Sequence, residues 1–82
     1  MPSALRIGDL DNDGNVMIEG SSDVTVNGVP VCFIGHRDND GDALITGSST
    51  VFINGVSAGR LRDVDSDGDV KISGSYNVII GG

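Results

Sequence analysis

The sequence has one cysteine, one histidine and only five lysine and arginine residues among its 82 residues. The lone Cys32 excludes a disulfide within the chain and carries little information about the redox compartment. The five basic residues face twelve acidic residues, so the net charge is −7. A surface that binds nucleic-acid phosphates needs clustered lysine and arginine, and this balance therefore argues against a nucleic-acid partner.

Long apolar runs are also missing from the chain. No run approaches the roughly 20 residues that a membrane-spanning helix needs, and residues 1–6 lack the apolar core of a secretory signal peptide. Thirteen glycines and little leucine or alanine argue against a helical bundle. We expect one small all-β domain, made in the cytoplasm without a signal peptide. Because so short a chain buries little surface, a metal, oligomerisation or a partner would help to hold it folded.

What fills the sequence instead is one unit of 27 residues that occurs three times without gaps. The repeats cover residues 1–28, 29–55 and 56–82, so the repeat is the whole chain. A fixed period of this size is typical of repeat architectures. The positions with the same residue type in all three copies are Asp11/Asp38/Asp65, Asp13/Asp40/Asp67, Gly14/Gly41/Gly68, Ile18/Ile45/Ile72, Gly20/Gly47/Gly74, Ser21/Ser48/Ser75, Val24/Val51/Val78 and Gly28/Gly55/Gly82.

Three equal units can either stack in a line or close around an axis. A linear stack usually needs atypical caps at both ends, and the repeats leave no residues for caps. We therefore predict closure around a pseudo-threefold axis. Leu5, Cys32 and Gly59 share one repeat position and offer one large, one medium and one absent side chain. Three equivalent side chains that meet at an axis cannot all be large, so this mixed set fits close packing.

The repeat reads as short strands joined by tight turns. Asn27-Gly28 and Asn54-Gly55 are strong signals of two-residue hairpin turns, and we predict that strands follow them over residues 29–34 and 56–61. The repeated valine before each turn is followed by a residue that should face the opposite side of the strand. In the three repeats this residue is Thr25, Phe52 and Ile79. This outward set is either a second core layer or an apolar face that docks on a partner.

At these residues the chain resembles the PAAR-repeat family. The family motif is a Pro-Ala-Ala-Arg run, an apolar residue and Gly-Asp, placed after a Gly-Ser-x-x-Val-x-Ile-Asn-Gly hairpin. The hairpin half is close to this pattern in residues 47–55, and the resemblance extends over all three repeats. The tetrad departs from the motif in each copy, and Gly-Asp is retained only at residues 8–9. The three tetrads are Ser3-Ala4-Leu5-Arg6, Pro30-Val31-Cys32-Phe33 and Ser57-Ala58-Gly59-Arg60.

The resemblance implies a small, sharp cone of β-hairpins with pseudo-threefold symmetry. One such cone caps the blunt end of a trimeric β-helical spike in contractile injection machines, namely phage tails, type VI secretion systems and related particles. The implied role is structural: a tip that pierces the target membrane, with no catalytic residue and no small-molecule substrate. The spike-docking face would then contain Thr25, Phe52 and Ile79. We expect the protein at a virion tail tip or at the tip of a secreted apparatus, and the lack of a fused effector favours a phage tail.

The same resemblance implies a zinc ion near the apex, held by three histidines and one cysteine. This chain has only His36 and Cys32, whereas a structural zinc site takes four ligands that are mostly cysteine and histidine. The zinc site of the family is therefore not intact here. His36 either joins Cys32 and carboxylates as a ligand or is an ordinary loop histidine.

A different metal pattern occupies the acidic loops. They read Asp9-x-Asp11-x-Asp13-Gly14, His36-x-Asp38-x-Asp40-Gly41 and Asp63-x-Asp65-x-Asp67-Gly68. Asp-x-Asp-x-Asp-Gly is the first half of an EF-hand calcium loop, in which alternate carboxylates supply hard oxygen ligands. The bidentate glutamate of the twelfth position is replaced by glycine in every loop, although closure could let one loop supply what another lacks. The alternatives are a small calcium-binding β-repeat module, or acidic turns that are simply solvated.

Overall fold

The computed structural model describes residues 2–81 and contains two antiparallel β-hairpins. In the first, β1 (Thr25–Val26) pairs with β2 (Val29–Pro30), and in the second, β3 (Phe52–Ile53) pairs with β4 (Val56–Ser57). No helix occurs among the described residues, and so none is long and apolar enough to span a membrane. The all-β prediction is confirmed.

Both hairpins turn on the Asn-Gly pairs that the sequence predicts. The φ angles are 57° at Asn27 and 78° at Gly28, and 52° at Asn54 and 82° at Gly55. Positive φ at both central residues is the signature of the type I′ turn, whose twist matches that of the flanking strands.

The strands are shorter than the predicted ranges 29–34 and 56–61, because neighbouring residues pair with different parts of the chain. Within residues 2–81 the two hairpins are two residue pairs long, and the other pairings are single antiparallel bridges. Backbone hydrogen bonds thus link segments from different repeats instead of extending one sheet. Three bridges of the first repeat illustrate this: Ser3 with Ile79, Ala4 with Arg60, and Arg6 with Val31.

One set of bridges recurs with the 27-residue period and joins each repeat to both of the others. A linear stack would leave the first and third repeats apart, but here they are bridged. The set consists of Asp11 with Lys71, Met17 with Asp38, and Leu44 with Asp65.

In the third repeat, the segment around Ile79 pairs with the N-terminal residues of the chain and not with a strand that follows it. Ile79 pairs with Ser3, whereas the equivalent Phe52 pairs with Ser57 of β4. Residues 2–3 therefore occupy, beside Ile79, the place that β4 occupies beside β3, and we call this non-contiguous pairing the third hairpin. Two backbone hydrogen bonds flank this pairing: Ile80 N–H to the Pro2 carbonyl at 2.8 Å, and Ala4 N–H to the Val78 carbonyl at 2.9 Å.

The core contains a cluster that includes two members of the mixed-size position, Leu5 and Cys32, together with Met17 and Leu44. Gly59, the third member, lies against the same cluster. A Cβ atom at Gly59 would lie 2.7 Å from Leu44 Cδ2 and 3.2 Å from Leu5 Cδ2, so a side chain there would displace the core leucines. The prediction that these positions pack together with unequal sizes is confirmed. A second cluster contains Ala4, Ala58 and Ile80, with Val26, Val51, Ile53 and Val78 packed against it.

Arg62 stands at a repeat position that the other two repeats fill with glycine. It has φ 79°, and the equivalent residues Gly8 and Gly35 have φ 90° and 100°. An L-residue in this region costs about 1 kcal/mol, so we expect Arg62→Gly to raise the free energy of unfolding by about 0.5–1 kcal/mol. Urea denaturation measures the change, and Gly8→Ala should lower stability as the reciprocal control. Lower stability of Arg62→Gly would contradict this account.

Candidate functional site

Three of the predicted metal ligands cap turns, and they share one repeat position. In each case the side chain accepts the backbone N–H of the residue three positions earlier. None of the three belongs to a group of converging acidic oxygens. The hydrogen bonds are Arg6 N–H to Asp9 Oδ2 at 2.7 Å, Phe33 N–H to His36 Nδ1 at 3.0 Å, and Arg60 N–H to Asp63 Oδ2 at 2.7 Å.

In the second repeat both members of the capping pair differ from the other two repeats. Phe33 stands in place of arginine and His36 in place of aspartate. Arg60 also binds Asp63 through its guanidinium group, with distances of 2.9 and 3.1 Å to the two carboxylate oxygens. At the equivalent positions the ring of Phe33 lies 3.9 Å, centroid to centroid, from the ring of His36. Burial lowers the pKa of His36, which favours the neutral ring that the Nδ1 acceptor requires. A ring-to-ring contact thus takes the place of the arginine–aspartate ion pair of the other two repeats.

Cys32 is turned towards a different partner. Its Sγ donates to the Glu19 carbonyl at 3.2 Å, and burial, followed by the charge of Asp9, raises the pKa of the thiol to about 12. A protonated thiol is a poor metal ligand. With His36 already bonded through Nδ1, the residues present do not fit a zinc ion held by three histidines and one cysteine.

Asp11, Asp38 and Asp65 point into the protein, and each is at most 1% exposed. In each loop the Oδ1 atom accepts the backbone N–H groups of the residues two and four positions later. For Asp11 these donors are Asp13 and Asn15, both at 2.9 Å, and the other two loops repeat the pattern. This bonding shapes the loop and leaves the second oxygen, Oδ2, of each aspartate directed at a common centre.

Lys71 supplies the positive charge at this centre. Its Nζ atom lies 3.0 Å from Asp65 Oδ2, 3.6 Å from Asp38 Oδ2 and 3.7 Å from Asp11 Oδ2. The lysine is only 1% exposed. Burial opposes ionisation of Asp65, but the hydrogen bond from Lys71 and those from nearby backbone N–H groups outweigh it, so the pKa of Asp65 is lowered.

Sequence reasoning missed Lys71, although the repeat contained a signal. The equivalent residues are Met17 and Leu44, which belong to the buried core cluster. A lysine in register with two core residues is a buried lysine, and a buried lysine needs acidic partners. The presence of lysine at a repeat position that otherwise holds methionine and leucine would therefore have indicated the acidic cluster around Lys71.

The remaining carboxylates of the loops surround this centre. Asp13, Asp40 and Asp67 are exposed. Asp42 and Asp69 are half-buried, and burial, followed by repulsion from neighbouring carboxylates, raises the pKa of both. Oxygens of different loops converge to within 4.8 Å of one another in three groups: Asp11, Asp65 and Asp69; Asp38, Asp42 and Asp65; and Asp40, Asp42 and Asp67. Carboxylates therefore converge between loops and not along one EF-hand-like loop.

The outward set is exposed at all three positions. Phe52 is 55% and Ile79 57% exposed, and Thr25 is also exposed. This excludes a second core layer and leaves an apolar surface next to the hairpin turns. The structure adds a second set of exposed apolar residues that share one repeat position, Ile18, Ile45 and Ile72.

The chain was compared with protein-family models and with curated proteins. No family model matches the sequence. No curated protein matches it either.

Proposed function

We propose that this protein is the tip of a trimeric β-helical spike in a contractile injection machine of the phage-tail or type VI kind. In this role its three repeats form a small pseudo-threefold cone that caps and sharpens the spike. The work is mechanical, because the tip pierces the target membrane and catalyses no reaction. The partner is the spike trimer, which binds one copy.

The observation that carries the proposal is the pattern of bridges between repeats. Three equal units, each bridged to both of the others, can present the same surface three times around one axis. A partner made of three equal chains needs such a surface, since each chain then finds an equivalent contact. The resemblance of the hairpin half to the PAAR-repeat pattern agrees with this partner.

The exposed set Thr25, Phe52 and Ile79 is the docking face in this proposal. These residues lie in the hairpins, which pack on the core cluster of Ala4 and Ala58. The acidic loops bond instead around Lys71, next to the other cluster. We therefore assign the hairpin end to the spike and the charged end to the leading point. Docking would also cover the open edges of the short strands.

The test is native mass spectrometry of the protein mixed with the trimeric spike protein encoded in the same genome. We expect one copy per three spike chains. The double variant Phe52→Asp/Ile79→Asp should bind at least about tenfold more weakly, since 1.4 kcal/mol corresponds to tenfold and two apolar contacts are lost. Ile45 belongs to the other exposed apolar set and is 53% exposed. The variant Ile45→Asp is therefore the matched control and should bind the spike as tightly as the wild type. Absence of a complex with the wild-type protein would overturn the proposal.

A further inference from the structure

Four buried carboxylate oxygens accept no hydrogen bond in the described part of the chain. They are the Oδ2 atoms of Asp11, Asp38, Asp42 and Asp69. Asp11 and Asp38 are at most 1% exposed, so bulk water does not reach these two. The Lys71 ammonium group lies 3.7 and 3.6 Å from them, which is beyond a hydrogen bond. Buried polar atoms nearly always have a partner, so these oxygens point to a missing one.

The charge of the cluster leads to the same conclusion. Five carboxylates converge around Lys71, and within residues 2–81 it is the one basic side chain that forms an ion pair with any of them. Four negative charges are therefore left without a counter-charge among the ion pairs of residues 2–81. Two divalent cations would bring the cluster to neutrality. The five carboxylates are those of Asp11, Asp38, Asp42, Asp65 and Asp69.

We propose that the protein binds two calcium ions between its acidic loops. The first site consists of Asp38, Asp42 and Asp65, and the second consists of Asp65, Asp69 and Asp11. In each group one oxygen from every residue lies within 4.8 Å of the others, so one ion can contact all three. The ligands are carboxylate oxygens alone, which suits a hard cation, and calcium tolerates the irregular geometry that magnesium does not. Water would complete the coordination sphere.

The repeat explains why there are two sites and not three. A shift of 27 residues carries Asp38 and Asp42 onto Asp65 and Asp69, so the two sites are copies of one arrangement. In the remaining copy, the position of Asp42 and Asp69 holds Asn15. An amide there removes one negative charge and one anionic ligand. This inference does not depend on the spike-tip role and can be tested on the isolated protein.

Isothermal titration with calcium chloride and thermal unfolding with and without chelator test the proposal. We expect two ions per wild-type chain and a melting temperature higher by about 5 °C or more in millimolar calcium than in chelator. Sodium chloride at equal ionic strength is the control for screening. Asp42→Asn and Asp69→Asn should each leave one site, and the double variant should leave none. Because Asn15 already stands at this position, asparagine fits the loop, and the double variant should stay folded without calcium.

Two further variants make the test specific. Asp40→Asn/Asp67→Asn removes two exposed carboxylates and should keep both ions, which separates the proposed sites from general attraction to an acidic surface. Asn15→Asp restores the missing ligand and should add a third ion. A melting temperature that calcium raises no more than matched sodium chloride would overturn the proposal, and so would undiminished binding by the Asp42→Asn/Asp69→Asn variant.

Discussion

Replacement of Lys71 by methionine is expected to lower the free energy of unfolding by about 3–5 kcal/mol at pH 7, because it leaves buried carboxylates without their cation. Methionine already fills the equivalent position at Met17 in the core cluster, so the packing is retained and the loss is electrostatic. Urea denaturation measures the loss. For a domain of this size, it corresponds to a melting temperature lower by roughly 15–30 °C.

The matched control removes one of the carboxylates that the lysine neutralises. Asp65→Asn keeps the Oδ1 atom that accepts the N–H groups of Asp67 and Asp69, so the loop retains its shape. The double variant Lys71→Met/Asp65→Asn should be more stable than Lys71→Met alone, and the double-mutant cycle should show a coupling of about 1.5–3 kcal/mol. A loss below about 1 kcal/mol for Lys71→Met, or no recovery in the double variant, would refute the role of the ammonium group.

The loss on replacing Lys71 should also depend on pH with a definite sign. Burial opposes ionisation of Asp65, but Lys71 and the backbone donors prevail, so the folded pKa lies below the ordinary value. A carboxylate with a lowered folded pKa stabilises the fold above its unfolded pKa of about 3.9, and this stabilisation is lost as the pH falls through the folded pKa. The stability difference between wild type and Lys71→Met should therefore shrink as the pH is lowered from about 4 to about 2. A difference that stays constant over this range would contradict the assignment.

The parts of the fold that sequence reasoning predicted depend on rules that act within one turn or at one repeat position. Asn27-Gly28 and Asn54-Gly55 form hairpin turns because both residues of each pair accept positive φ. Gly59 is the member of the mixed-size position without a side chain, because Leu5 and Leu44 fill the space where a side chain would be. Turn preferences and side-chain sizes are local quantities, so the repeat pattern displays them directly.

The candidate site was less accessible from the sequence because it is formed between repeats. The spacing Asp-x-Asp-x-Asp counts ligands along one loop, whereas the converging oxygens of Asp38, Asp42 and Asp65 come from two loops. Asp9 and Asp63 fit the spacing but bond to arginines three residues earlier. Which carboxylates meet depends on the bridges that join different repeats, and the spacing of residues within a single loop does not contain that information.

Deletion of residues 2–5 is expected to abolish cooperative unfolding altogether. This segment completes the third hairpin through the pairing of Ser3 with Ile79, and its Ala4 and Leu5 are fully buried. Removal of a buried leucine side chain alone costs about 2–5 kcal/mol, which is comparable to the whole stability of a small domain. Circular dichroism during heating should show no sigmoidal transition for the deletion variant. A cooperative transition within about 10 °C of wild type would show that the N-terminal segment does not close the fold.

A circular permutant separates this closing role from the loss of residues. Gly82 stands at the repeat position of Gly28 and Gly55, and Pro2 stands at that of Val29 and Val56. A direct Gly82–Pro2 peptide bond therefore reproduces the Gly-Val junctions of residues 28–29 and 55–56. The chain can be opened between Asn27 and Gly28, which are exposed residues of a turn where new termini are tolerated. In the permutant the two strands of the first hairpin are no longer connected by a turn and are held together by pairing alone. The two segments of the third hairpin, in contrast, are now joined by the new peptide bond. Because every core contact is retained, we expect it to unfold cooperatively within about 5 °C of wild type. Failure of this permutant to fold would mean that the third hairpin is not equivalent to the other two, and the closed arrangement of three repeats would have to be abandoned.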